Sequence, residues 1–442
     1  MAKIKFTPAQ QSAIDADGGN ILVSAAAGSG KTAVLTARVI RLLTKEDPVM
    51  ADKLVIVTFT TAAASEMRQR IGAKLQELIE LDPTNELLQT QQLLLGLAKI
   101  CTIHSLCSGL IKEHFQLIGL THDFKIGQKS QLLVLQNDAV NEVLEQHFEQ
   151  KSEEFLSLFE FTCDKDDKPL SNMIVSIYDF IRSFPYPLEF LDYSLKAYDN
   201  CNNLTQTKWY KLIKSHCLFA FEKACELLNA AIELSQEDKV VYPKYSPALY
   251  SDFSQIEQAK LSLTADNWDK TVSILNSYEK VRLSSIRGFE DVSLLVKIKA
   301  LRSDANDIVE TIKKQYINIT CDEFAQDNEL LYPKISLLFC LVREVYEKIE
   351  EKKKDKNIID YADLEHYALK LLVVHENSQN KQTEIAKELS QSYVEIMIDE
   401  CQDINEVQNL IFKMLSKNEK NLFMVGDVKQ SVYRFRKAEP KL

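Results

Sequence analysis

The chain has 442 residues, 45% apolar and 26% charged, which excludes a disordered segment and leaves room for two or three domains. No run of eighteen apolar residues occurs, which excludes a membrane-spanning helix, and Met1 to Pro8 lacks the apolar stretch of a signal peptide. The net charge of −11 gives no support for nucleic-acid binding from bulk electrostatics, so any such binding must come from a local groove; nine cysteines without a C-x-x-C pair argue against zinc or iron–sulfur sites and for free thiols in a reducing cytoplasm.

The first apolar run, Ile21 to Ser24, reads as a strand, and Ala33 to Leu43 reads as a helix. Between them stands Ser24-Ala25-Ala26-Ala27-Gly28-Ser29-Gly30-Lys31-Thr32. A strand, a small-residue loop and a helix carrying Gly-Lys-Thr form the context of a phosphate-binding P-loop. Ala27, Gly28, Ser29 and Gly30 let backbone N–H groups close on a triphosphate, aided by the helix dipole. Lys31 supplies a cation to the β- and γ-phosphates, and the Thr32 hydroxyl is a ligand for Mg²⁺. Ala25 replaces the first Gly of the generic pattern.

Further strands are predicted at Leu54 to Thr58 and Ile100 to Ile103, and the helix after the first of these carries Met67, Ile71, Leu75 and Leu78 on one face. From about residue 116 to about residue 345 strand signals fade and amphipathic stretches dominate, such as Gln131 to Phe148 and Cys217 to Leu234. Breaks are expected at Phe184 to Pro187 and Tyr242 to Tyr250. This predicts a mostly helical insertion at 116–345, with 1–115 and 346–442 as two pieces of one α/β domain whose parallel sheet has helices on both faces. Within the insertion, Lys280, Arg282, Arg287, Lys297, Lys299 and Arg302 form a mildly basic stretch, read as a solvated helix surface in preference to a duplex contact. Lys352-Lys353-Lys354 reads as a solvated helix end, and the aromatics from Tyr178 to Tyr198 as packing.

Two last strands are predicted at Glu395 to Ile398 and Leu422 to Val425. The first ends in Asp399-Glu400: Asp399 would hold Mg²⁺, and Glu400 would orient or deprotonate the attacking water. The second leads into Gly426-Asp427-Val428-Lys429-Gln430-Ser431-Val432-Tyr433-Arg434-Phe435-Arg436. Gln430 is placed to sense a γ-phosphate, and aromatics beside arginines suit base stacking and backbone neutralisation.

Together these segments resemble the superfamily 1 helicases of the UvrD/Rep type, which implies a RecA-like P-loop NTPase domain with a helical insertion. Phe6-Thr7-Pro8-Ala9-Gln10-Gln11-Ser12-Ala13-Ile14 is similar to that family's glutamine motif, in which the residue matching Gln10 reads adenine. Thr58-Phe59-Thr60 through Ile71 resembles its first single-strand-binding motif, with Thr61 and Ala62 where relatives usually carry Asn and a basic residue. Thr102-Ile103-His104-Ser105 resembles a further DNA-contacting motif, Asp399-Glu400-Cys401-Gln402-Asp403 the D-E-x-Q-D motif, and Gly426 through Arg436 the loop after the next strand. The resemblance implies ATP and Mg²⁺ as cofactors, and Phe59, Thr60, His104, Tyr433, Phe435 and Arg436 as contacts to single-stranded DNA, with base pockets at Phe59, Tyr433 and Phe435. It also implies that Gln430 couples nucleotide state to those pockets.

Asp360-Tyr361-Ala362-Asp363-Leu364-Glu365 and the length of the insertion resemble AddA-type (RexA in some bacteria) helicase/nuclease proteins. That implies a heterodimer with a second protein of the AddB/RexB kind, acting on duplex ends in double-strand break repair. The chain stops at Lys441-Leu442, before the second motor domain and the nuclease domain that such proteins carry, so it is expected to be an N-terminal fragment with little activity of its own. A stand-alone UvrD/PcrA-like repair helicase and an ATP- or DNA-binding scaffold are the alternative readings.

Overall fold

A computed structural model describes residues 6–26, 28–164, 166–199, 203–286, 289 and 291–427. In chain order, the first elements are α1 (Pro8–Asp15), β1 (Ile21–Ser24), α2 (Lys31–Thr44), β2 (Leu54–Thr58), α3 (Thr61–Leu81), α4 (Glu86–Leu94), β3 (Lys99–Thr102) and α5 (Ile103–Ile118). Then come β4 (Lys125–Ile126), α6 (Lys129–Gln150), α7 (Glu153–Thr162), α8 (Lys168–Ile181) and α9 (Pro187–Lys196). A helical stretch follows: α10 (Lys208–Gln236), α11 (Val241–Thr264), α12 (Trp268–Asn276), α13 (Val292–Gln315) and α14 (Cys321–Asp355). The chain continues through β5 (Ile358–Ile359), α15 (Tyr361–Leu372), β6 (Val373–Glu376), β7 (Gln379–Gln382), α16 (Glu384–Ser392), β8 (Glu395–Asp399), α17 (Glu406–Leu415) and β9 (Leu422–Gly426).

Five of these strands form a parallel sheet in the order β1-β9-β8-β2-β3, as the alternation of strands and helices predicts. The three central strands β9, β8 and β2 are buried on both faces, and their alternation divides the apolar residues between two cores. Ile56, Met397, Phe423 and Val425 pack with Leu35, Val39, Met67 and Ile71 of α2 and α3. Val55, Val57, Ile396 and Ile398 pack with Leu106, Leu110, Leu364 and Ile411 of α5, α15 and α17. Because all five strands are parallel, their C-terminal ends share one edge, where ligands of open α/β sheets sit.

The expected strand at Ile100 to Ile103 ends one residue earlier. The Thr102 hydroxyl accepts a hydrogen bond from Ser105 N, which caps α5 and starts the helix at Ile103.

The chain divides into two compact units, 1–191 with 340–442, and 192–339. The residues expected as one insertion at 116–345 are therefore shared: 116–191 and 340–345 lie in the unit that holds the sheet. In that unit Lys353, expected on a solvated helix end, is buried. Its ammonium donates to Asp360 at 2.9 Å and to both Asp363 oxygens at 2.9 and 2.8 Å. Arg182 donates to the same two carboxylates. The physical reason is compensation: two cations and two carboxylates leave water together, which a lone lysine could not do.

The other unit has its own helical core, with Phe221, Leu228, Leu249, Ile256, Ile298 and Val309 at its centre. Tyr242 to Tyr250, expected as a break, is the start of α11. Pro243 falls in the first turn, where its missing N–H costs nothing, and burial of Val241, Tyr245 and Leu249 carries the helix past Pro247. Arg302, expected on a solvated basic surface, is buried against Asp252, donating through Nε at 2.7 Å.

Candidate nucleotide and nucleic-acid site

Gly28 and Gly30 have φ of +72° and +83°, left-handed backbone that a side chain would strain. Gly30 is the N-cap of α2, so Lys31 and Thr32 open a 14-residue helix whose first N–H groups face the loop. A cleft of ≈ 430 Å³ is lined here by Gly28, Gly30, Lys31, Thr32, Ala33, Arg70 and Glu400. Ser29 lies within this loop and is exposed.

Gln10 lies in a capping box on α1: Thr7 N donates to its Oε1 at 2.8 Å. Its Nε2 donates to Ser29 O at 2.8 Å, which fixes the P-loop to the glutamine. Each end of the amide keeps one more bonding position, the donor and acceptor pair that an adenine edge requires. Arg38 holds α1 in place. Its guanidinium donates to Ala13 O, Ile14 O and Ala16 O and to both oxygens of Glu395, with its plane over the Phe423 ring.

Asp399 ends β8, and Glu400 follows it with φ +55°, a conformation that turns its carboxylate toward the P-loop. Lys31 Nζ lies 3.1 Å from Glu400 Oε2. Burial, reinforced by the Glu400 charge, pushes the Asp399 carboxyl up to about 6. Glu400 lines the cleft together with Thr32 and Lys31, and Asp399 is its neighbour in the chain. Two carboxylates and a hydroxyl are the hard oxygen donors that suit a divalent cation, so the residue types fit Mg²⁺.

Gln402 organises this acid loop. Its Nε2 donates to Glu400 Oε2 at 2.8 Å, and its Oε1 accepts from Asp427 N at 2.9 Å, at the exit of β9. A Cβ on Gly426 would lie 2.5 Å from Gln402 Oε1 and 2.6 Å from Cys401 Sγ, so only glycine leaves room for this crossing.

A second cavity, ≈ 470 Å³, opens over the ends of β2, β3 and β8. Phe59, His104, Arg182, Glu365, Asp399, Glu400 and Gln408 are among its lining residues. It therefore brings together Phe59 and His104, which the sequence assigned to DNA, with the acids it assigned to ATP. Thr60 acts locally, its hydroxyl capping α3 by accepting from Ala63 N at 3.1 Å. Ala27, Arg287, Gln430, Tyr433, Phe435 and Arg436 lie outside the described residues.

Sequence reasoning assigned no role to Arg70, Gln402, Glu365 or Arg182. Arg70 had a legible signal, since it stands one turn after Glu66, with which it pairs, within the motif that opens α3. Gln402 was visible inside D-E-x-Q-D, but its partner Asp427 is 25 residues away.

The UvrD/REP helicase N-terminal domain family matches this chain over residues 6–341 and 340–442. The A subunit of the ATP-dependent helicase/nuclease of Lachnoclostridium phytofermentans is 37% identical over 453 aligned residues, covering 100% of this chain and 33% of that protein. The corresponding protein of Alkaliphilus oremlandii is 38% identical over 441 residues (99% and 36%), and that of Acetivibrio thermocellus 35% over 451 (100% and 36%). The chain thus spans about a third of the length of these relatives.

Proposed function

We propose a function on one fixed premise: this chain belongs to the UvrD/REP helicase family. On that premise it is the ATP-binding motor domain of a helicase/nuclease of the AddA kind, using ATP to move single-stranded DNA. The observation that carries this reading is that Glu400 lines both cavities, the P-loop cleft and the one that holds Phe59 and His104. The residue expected to orient or deprotonate the attacking water thereby also borders the cavity that holds the proposed DNA contacts Phe59 and His104.

ATP would enter the P-loop cleft with its phosphates on the N-terminus of α2 and its adenine at Gln10. Lys31 and Arg70 would neutralise the phosphates, and Glu400 would hold and deprotonate the attacking water. Thr32 and Asp399 would hold Mg²⁺, whose charge offsets that of the phosphate oxygens. Gln402 orients Glu400 and ties it to Asp427, three residues before Gln430 in the chain. Phe59 would stack an unpaired base, a contact worth about 1–3 kcal/mol and indifferent to sequence. Gln430, Tyr433, Phe435 and Arg436 are assigned the γ-phosphate and further DNA contacts by motif alone.

The relatives are named as the A subunit of a helicase/nuclease, which supports a partner subunit. The resemblance to AddA-type proteins extends the reading to a heterodimer partner of the AddB/RexB kind, duplex DNA ends as substrate, and double-strand break repair in the cytoplasm as setting. Among the described residues no helix is long and apolar enough to cross a membrane. The insertion expected at 116–345, most of which forms the separate unit 192–339, would meet the duplex or the partner.

The test is DNA-stimulated ATP hydrolysis and unwinding by the intact protein and by Lys31→Ala. Loss of both in the variant, with DNA and partner binding retained, is the expected result. Unwinding that survives Lys31→Ala would refute the motor reading, and an intact protein that binds ATP and DNA without turnover would establish the scaffold instead.

A further inference from the structure

We infer that Glu365 is a positioning residue that sets the His104 ring for the DNA strand and keys it to the acid loop of the ATP site. The inference rests on the proposed placement of His104 on the DNA path.

Glu365 lies on the core-facing side of α15 beside Leu364 and Ala368 and is 4% exposed. An apolar residue would fill that position without the cost of desolvating a carboxylate. The carboxylate instead collects three side chains from two separate segments. His104 Nε2, in the first turn of α5, lies 3.1 Å from Oε1. Gln408 Nε2 donates to the same oxygen at 2.6 Å, and Asn405 Nδ2 donates to Oε2 at 3.3 Å.

Asn405 and Gln408 belong to the start of α17, where the Asn405 side chain is the N-cap and accepts from Gln408 N at 2.8 Å. Only the short turn Cys401–Asp403 and Ile404 separate them from Glu400. On the other side, the His104 ring meets Tyr361, with centroids 4.9 Å apart. Glu365 is thus the common acceptor between the segment that follows the water-activating acid and the histidine beside Phe59. A shift of the acid loop on nucleotide binding reaches His104 through one buried carboxylate.

The experiment measures the affinity of the intact protein for a fluorescein-labelled oligothymidylate, with and without Mg²⁺ and a non-hydrolysable ATP analogue. Affinity for the analogue is measured separately. His104→Ala is expected to weaken DNA binding about tenfold, the loss typical of one charge-assisted contact. No effect of His104→Ala removes His104 from the DNA path and overturns the reading beneath the inference. Given that weakening, Glu365→Gln is expected to lose a similar factor, to flatten the response of DNA affinity to nucleotide, and to leave analogue affinity unchanged. It is expected to add nothing in the His104→Ala background. DNA binding unchanged by Glu365→Gln, or full additivity of the two losses, overturns the inference while leaving the DNA path intact.

The exchange Glu365→Gln with Gln408→Glu guards against a variant that fails to fold, because one amide and one carboxylate still face each other. It is expected to restore the unfolding midpoint without restoring DNA affinity. Recovery of both would show that Glu365 is needed only for packing and would overturn its positioning role.

Discussion

Lys31 Nζ and Glu400 Oε2 stand 3.1 Å apart, so the P-loop cation and the carboxylate of the acid loop meet directly. Nucleotide phosphates must compete with Glu400 for Lys31, which sets two opposite expectations for the pair. Glu400→Gln should tighten ATP binding severalfold by releasing Lys31, while hydrolysis falls by about 10²–10⁴, the usual share of a general base. Lys31→Ala should lose both binding and hydrolysis. Fluorescent-nucleotide titration alongside phosphate release checks the split; weaker nucleotide binding by Glu400→Gln would show that the ion pair does not oppose the ligand.

Gly426→Ala places a methyl group within 2.6 Å of both Gln402 Oε1 and Cys401 Sγ. The glutamine must move, and with it the contacts to Glu400 and Asp427 N. A loss of about 1–3 kcal/mol in stability is expected, together with a fall in kcat larger than any change in nucleotide affinity. Urea unfolding and steady-state ATPase assays provide both numbers.

Arg38→Ala removes a buried guanidinium and strands Glu395 at 9% exposure. Breaking one side of such a pair costs about 3–5 kcal/mol. The three carbonyls at the end of α1 to which Arg38 donates are released at the same time, so Gln10 should lose its fixed place. The expected signature is a lower unfolding midpoint with reduced preference for ATP over GTP, read by thermal denaturation and competition binding.

The cluster of Arg182, Lys353, Asp360 and Asp363 should make stability depend on pH in two windows. Burial works against ionisation of Asp360, but Arg182 and Lys353 outweigh it and hold the carboxyl well below its ordinary value. The stability this provides is full above the ordinary carboxylate range, near pH ~4, and is lost as pH falls below it. Burial lowers His366, whose Nε2 lies 2.9 Å from Arg182 O. Below pH ~6.5 the unfolded chain takes up that proton before the folded one, so stability falls as pH drops through this value. His366→Gln should flatten the slope between about pH 7.5 and 5.5 and leave the acid limb unchanged; urea midpoints across the range measure both.

Much of the fold was legible because its signals are local. Ile21–Ser24 and Leu54–Thr58 are strands at the expected bounds, and Met67, Ile71 and Leu75 face the core at the expected spacing. The breakers around Pro243 and Pro247 misled because long-range packing of Tyr245 and Leu249 outweighs local propensity there. Lys353 misled for a related reason: its neighbours in sequence are charged, and its partners Asp360 and Asp363 become partners only when α15 turns back on the end of α14.

The sequence by itself determined the elements whose chemistry lies within one short segment: the Gly28–Thr32 loop after a strand, the Asp399-Glu400 pair closing another, and the motifs that mark the helicase family. Tertiary structure alone decided what those segments do to one another. Lys31 and Glu400 are 369 residues apart in the chain and meet because the sheet order β1-β9-β8-β2-β3 sets β8, which Glu400 follows, only one strand away from β1, which leads to Lys31. Glu365 gathers His104, Asn405 and Gln408, and Gln402 reaches Asp427 across Gly426. The reason is physical. Backbone propensity and hydrophobic period act over a few residues, whereas a buried charge finds its partners only after the parallel sheet has aligned the ends of its strands along one edge.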